Sequence, residues 1–211
     1  MLAGELSIVV DETLPSLLAP IFAEFLRQFP DFCLHVTTVD KAPDLSAHDA
    51  NVTIFANGQP PGELVGRRIA RIAWALYGSD RKSTPNRRDR PMGDDNASER
   101  LPDEQPARRR VILSRAGKGT SDGVVYKAST LLGLAAAVEG GVGLGALPCY
   151  LGDLRPGLVR LSAPEFNSAT DLWLLTFPDL GRSARVRQFV DFVAVALSRL
   201  RPLFEGEGMR V

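Results

Sequence analysis

A strand, a helix and a second strand follow one another within the first 39 residues, and this succession restricts the fold more than any other feature of the chain. Residues 6–10, LSIVV, are apolar and β-branched, the pattern of a buried strand. Leu14, Leu17, Leu18, Ile21, Phe22, Phe25 and Phe29 then recur at spacings of three and four, which puts them on one stripe of an amphipathic helix. Asp11, Glu12 and Thr13 are placed to cap that helix. Pro20 delays or kinks its start, and Phe29-Pro30 ends it. Residues 32–39 alternate weakly and read as the second strand. A βαβ unit of this length implies parallel strands and hence an α/β fold.

The rest of the chain continues the alternation. Residues 44–49 read as a short polar helix, 51–55 as a third strand, 57–62 as a loop, and 64–72 and 73–77 as one or two further strands. Residues 81–110 have almost no apolar side chains and four prolines, and 81–115 hold ten basic and six acidic residues. That composition predicts a solvated loop or disorder, since interleaved acids and missing aromatics do not make a nucleic-acid surface. Residues 111–113 and 124–126 read as strands. A helix over 130–138, capped by Ser129 or Thr130, ends at Gly140-Gly141. Strands follow at 143–147, 158–161 and 171–177, with Gly143 and Gly145 permitting close packing. Ser183 caps a last helix whose stripe is Val186, Phe189, Val190, Val193, Ala194, Leu197 and Leu200, with Pro202 as its stop.

With 211 residues, 45% of them hydrophobic, the chain fills one large domain or two small ones. Its formal net charge of zero argues against nucleic-acid binding by this chain alone. Cys33 and Cys149 are too few for a disulfide framework and lack metal-ligand spacing; their apolar flanks predict buried, reduced thiols in the cytoplasm. The first residues form no signal peptide, and no run of 18 apolar residues suits a membrane helix. The expectation is therefore a soluble cytoplasmic chain without membrane contact, cofactor or metal.

Catalytic constellations are missing. No serine or cysteine stands in a nucleophile setting such as G-x-S-x-G, and His35 and His48 read as strand or surface residues. The adjacent carboxylates Asp11 and Glu12 suit a helix N-terminus electrostatically. The run 141–146, GVGLGA, has the wrong spacing for a dinucleotide loop and precedes a strand, where such a loop precedes a helix. Residues 117–120, GKGT, are too short for a Walker motif. What remains is binding geometry. In parallel α/β sheets, ligands sit at the carboxyl ends of strands, against helix N-termini. Asp11-Glu12-Thr13 and Ser129-Thr130 occupy such positions and offer donors for a small anion or carboxylate, or simply cap their helices.

Four blocks resemble the effector-binding domain of LysR-type transcriptional regulators. Residues 4–30, GELSIVVDETLPSLLAPIFAEFLRQFP, are similar to the family's opening strand and first helix. Residues 51–55, NVTIF, stand where the family usually has Asp-(Val/Leu)-Ala-Ile-Arg. Residues 64–77, LVGRRIA through ALY, form the third block. The fourth runs from Ser129 through 148–151, PCYL, 156–160, PGLVR, and 172–175, LWLL, to 182–192, RSARVRQFVDF. Together they cover about two-thirds of the chain, and their order and spacing are specific in combination.

The resemblance implies two Rossmann-like subdomains with a cleft between them, as in type 2 periplasmic binding proteins. The first subdomain would take 1–78 and 163–211, the second 79–162. An effector, with no cofactor, would meet Glu12, Thr13, Thr38, Phe55, Ser129, Thr130 and Pro148. Pairing into a homodimer or tetramer would use the first helix and second strand, with Leu17, Ile21, Glu24, Phe25, Gln28, Leu34 and Val36 in contact. DNA would be reached only through an N-terminal helix-turn-helix domain, which this chain lacks. Asn51 and Phe55 replace the family's Asp and Arg, and residues 81–123 do not match it. The alternatives of the same fold are a solute-binding protein and a regulator domain that dimerises without sensing; an enzyme would need a nucleophile or base.

Overall fold

Strand β1, Gly4–Asp11, buries Leu6, Ile8 and Val10 on one face, as its β-branched alternation requires. A computed structural model describes residues 4–39, 50–56, 64–80, 111–113 and 124–208. The expected helix at 44–49, the loop at 57–62, and residues 81–110 and 114–123 of the unmatched segment lie outside the described residues. The chain divides into two compact units. The first comprises Met1–Trp74, Pro148–Tyr150 and Pro164–Val211, and the second Ala75–Leu147 and Leu151–Ala163.

In the first unit the βαβ expectation holds. β2, Phe32–Val39, pairs parallel with β1 over its whole length, from Gly4 opposite Phe32 to Asp11 opposite Val39. β3, Val52–Phe55, pairs parallel on the other side of β1, with Ile8 opposite Val52. Helix α1, Pro15–Gln28, connects β1 to β2 and buries Leu18, Phe22 and Phe25. Residues 64–77 form part of one strand, β4, Val65–Ser79. β9, Glu165–Thr176, lies between β3 and β4 and runs antiparallel to both, giving the order β2-β1-β3-β9-β4.

Helix α4, Ala184–Arg199, turns its predicted stripe inward: Val186, Phe189, Val193, Ala194 and Leu197 are buried. It meets α1 through a phenylalanine cluster. The Phe25 ring stands 5.0 Å from Phe189, 5.1 Å from Phe32, 4.9 Å from Phe29 and 5.4 Å from Phe192, between centroids. Three of these pairs are edge-on, the arrangement that aromatic quadrupoles favour.

In the second unit, β8, Leu158–Arg160, pairs antiparallel with Tyr77–Ser79 at the end of β4. β7, Leu144–Pro148, β5, Val111–Leu113, and β6, Val124–Lys127, extend the sheet in the order β4-β7-β5-β6. Helix α2, Leu131–Glu139, buries Leu134, Ala135 and Val138. Gly145 permits this packing, because a Cβ there would lie 2.7 Å from Val138 Cγ2. Tyr77 donates to Asp153 Oδ1 at 2.6 Å, Arg160 pairs with the same carboxylate, and Arg155 pairs with Glu139 at 2.9 Å.

Four local expectations are corrected. Helix α1 begins at Pro15 with Leu14 as its N-cap residue, and no side chain caps it; Asp11 bonds instead within its own turn. Ser183 occupies the N-cap position of α4 but makes no side-chain cap bond. Pro202 does not end the helical region: α4 stops at Arg199, and Pro202 sits in the first turn of α5, Arg201–Phe204. Proline is tolerated there because first-turn N–H groups have no intrahelical acceptor. Cys149 is buried, whereas Cys33 is exposed on β2, at the edge of the sheet. A short helix α3, Cys149–Gly152, follows β7 directly and has no periodicity of its own in the sequence.

Candidate functional site

β1, β2 and β3 are parallel, so their carboxyl ends lie together at one edge of the first unit's sheet. Glu12 follows β1, Thr38 lies opposite Val10 near the end of β2, and Phe55 ends β3 opposite Trp173. Thr38 is exposed and Glu12 half-buried, while Phe55 is buried. The Glu12 N–H donates to the Val39 carbonyl at 2.8 Å, which ties the turn after β1 to the end of β2.

The turn itself is closely bonded. Asp11 Oδ1 accepts from the Thr13 N–H at 3.0 Å and from the Thr13 hydroxyl at 2.5 Å, and the Leu14 N–H donates to the Asp11 carbonyl at 3.0 Å. Thr13 is only 2% exposed. Its oxygen also lies 2.6 Å from the hydroxyl of Tyr150. Burial, then the negative charges of Asp11 and Glu12, push the Tyr150 phenol far above its ordinary range, so it stays protonated. Pro148 is buried two residues before that tyrosine. The sequence had marked Glu12, Thr13, Thr38, Phe55 and Pro148. It carried no signal for Tyr150, which is 137 positions from Thr13.

In the second unit, Thr130 is the N-cap of α2: its Oγ1 accepts from the Gly133 N–H at 3.0 Å, and Ser129 is exposed beside it. This nine-residue helix has no acidic residue in its first turn, so its N-terminal partial charge is not neutralised from within. Among the described residues, no group of three or more His, Cys, Asp or Glu could hold a metal ion. No helix among them is long and apolar enough to cross a membrane.

The sequence model of the LysR substrate binding domain matches residues 1–198. The chain belongs to that family. Among curated protein sequences none matches it. Solved structures share the fold. The AmpR effector binding domain from Citrobacter freundii matches with a TM-score of 0.67 at 15% identity, over 93% of this chain and 99% of that one. The regulatory domain of CrgA, a LysR-type transcriptional regulator from Neisseria meningitidis, gives 0.65 at 18% identity, over 93% and 100%. Full-length AphB from Vibrio cholerae, a virulence activator, gives 0.63 at 21% identity, over 90% of this chain and 68% of that one. This LysR domain is thus an effector-binding regulatory domain with the α/β fold of type 2 periplasmic binding proteins.

The residues expected at a subunit contact in this LysR domain fall into two groups. Leu17, Ile21, Glu24 and Leu34 are half-buried, Gln28 is exposed, and Val36 is 44% exposed. Phe25 is instead a core residue, fully buried in the cluster shared with α4, so it has no surface to offer a partner. Gln28 donates to Glu24 at 2.7 Å. That bond, followed by the charge of Arg27, holds the Glu24 carboxyl below its usual range. His35 lies 3.6 Å from Glu5 on exposed strand surface, and His48 falls outside the described residues.

Proposed function

We propose that the effector of this LysR domain is a small carboxylate or comparable anion. The observation that carries this is the contrast between two helix N-termini. At α1, whose first turn also holds no acidic residue, the N–H groups of Glu12, Thr13 and Leu14 in the turn just before the helix already have acceptors, Pro15 has no N–H, and the Asp11 carboxylate in that preceding turn supplies a negative charge. At α2, no acidic side chain stands in the first turn, and exposed Ser129 adjoins the Thr130 cap. An anionic group therefore belongs at Ser129 and Thr130. Among the first unit's residues, Glu12, Thr38, Phe55 and Pro148 are the candidates for effector contact, and Thr13 holds the turn from which Glu12 projects.

The mechanism is regulatory and not catalytic. An effector that binds one conformation better than another shifts their populations, and a coupling of about 1–3 kcal/mol is enough to change how an attached DNA-binding domain sits on its operator. The domain works as a homodimer or tetramer in the cytoplasm, using Leu17, Ile21, Glu24, Gln28, Leu34 and Val36. Supporting that surface, these side chains lie on α1 and the edge strand β2 and retain exposure in the monomer.

The test is calorimetric titration of wild type and Thr130→Val with a panel of aliphatic and aromatic carboxylates, beside their uncharged amides. Wild type is expected to select a carboxylate over its amide. The valine variant should bind it roughly tenfold or more weakly, the usual loss for a hydrogen bond to a charged group. Equal affinity for acid and amide would refute the anion assignment, and unchanged affinity in the variant would refute the position.

A further inference from the structure

We propose that Tyr150 is a positioning residue that fixes the turn between β1 and α1 through the hydroxyl of Thr13. A carboxylate only accepts, so the hydrogen of the Thr13 hydroxyl goes to Asp11 Oδ1, 2.5 Å away. The contact of 2.6 Å between Thr13 Oγ1 and the Tyr150 hydroxyl then has one direction: Tyr150 donates and Thr13 accepts. The three groups form a directed chain, Tyr150 to Thr13 to Asp11, inside the first unit. Its far end closes the turn, because the same Asp11 oxygen also accepts from the Thr13 N–H.

Packing alone does not require a tyrosine at position 150. The ring lies against Phe204 with centroids 5.0 Å apart, and a phenylalanine would keep that contact. What the hydroxyl adds is the bond to Thr13, its one hydrogen-bond partner among the described residues. The placement is also specific. Pro148–Tyr150 belong to the first unit although the residues on both sides of them belong to the second. A buried hydroxyl is thus brought to the turn from a distant part of the chain. Removing it takes away the bond that reaches the Thr13 side chain from the distant Tyr150.

The consequence for effector binding rests on the reading above, in which Glu12 projects from this turn. The turn's own order is measured without any ligand. Amide hydrogen exchange is followed in the full chain for wild type, Tyr150→Phe, Thr13→Val, Thr13→Ser and the double variant Tyr150→Phe/Thr13→Val. Exchange over residues 12–18 is compared with exchange over α4. Tyr150→Phe is expected to speed exchange at the turn about tenfold relative to α4, the size of one net hydrogen bond, and Thr13→Val, which removes the bonds to both Tyr150 and Asp11, by more. Thr13→Ser keeps the hydroxyl and should match wild type. The double variant should exchange no faster than the faster single variant.

Wild-type exchange at the turn in Tyr150→Phe would overturn the proposal. So would equal acceleration of the turn and α4, which would mark a general loss of packing. Either result leaves the effector assignment to the carboxylate titration, so the two ideas fail separately.

Discussion

Replacing Phe25 with alanine should destabilise the first unit more than any exposed substitution on α1. The side chain is fully buried, and its ring has four aromatic neighbours with centroids at 4.9–5.4 Å. Removing a buried phenylalanine ring costs about 3–5 kcal/mol, and the loss of edge-on pairs worth about 0.5–1.5 kcal/mol each pushes the value towards the upper end. With a urea slope of roughly 2 kcal/mol/M, the unfolding midpoint should fall by about 2 M. Both tryptophans, Trp74 and Trp173, lie in the first unit, so their fluorescence follows that unit's unfolding. A leucine at position 25 restores most of the volume and should cost only about 1–1.5 kcal/mol. The reasoning would be refuted by an alanine variant whose midpoint stays within about 0.5 M of wild type, while sedimentation shows a changed oligomeric state. That pair of results would make Phe25 a contact residue and not a core residue.

Other perturbations test separate features. Gly152→Ala should destabilise the second unit by about 1–3 kcal/mol in thermal unfolding, because its Cβ would run into the Tyr77 ring; no loss would mean that the ring gives way freely. Thr130→Ala removes the cap of α2 and should lower stability by about 0.5–2 kcal/mol, read from the same melts. Tyr150 sets an alkaline limit. Its folded-state pKa is raised, so its contribution is intact below the ordinary tyrosine value of about 10 and is lost as pH climbs above it, where only the unfolded chain ionises readily. Absorbance at the phenolate band should include a tyrosine that ionises only with unfolding. Glu24 runs the other way. Its lowered pKa gives a small stabilisation present above the ordinary glutamate range and lost as pH falls through the folded value. Carbon NMR of the carboxyl should place its midpoint below that of a free glutamate; a midpoint at or above it would exclude the Gln28 and Arg27 contacts in solution.

What was legible in the sequence was local. The stripes of α1 and α4, the parallel pairing of β1 with β2, and the Thr130 cap all follow from spacings within one or two turns or strands. What was not legible depended on distant pairings. Nothing near residue 170 announces that Trp173 will sit opposite Phe55 on one side and Arg68 on the other, so the central place of β9 could not be read. The same holds for Tyr150 and Thr13. Phe25 shows a different limit: a helical stripe says that a residue is buried, but not whether a neighbouring helix or another subunit buries it. Cys33 misled because its apolar flanks suggested burial, whereas it is exposed on β2 at the edge of the sheet.

The central place of β9 also bears on how the chain is made. During synthesis, β1, β2 and β3 emerge first, yet the strand that pairs with both β3 and β4 follows more than 80 residues after β4. The helix that covers Phe25 comes later still. Until then the nascent first unit exposes an unpaired strand edge and an uncovered aromatic face, both of which invite association. Closing so long a loop is slow, as non-local pairing generally is. This domain therefore completes its first-begun half last, and any truncation before α4 removes the lid from the hydrophobic face that translation built at the start.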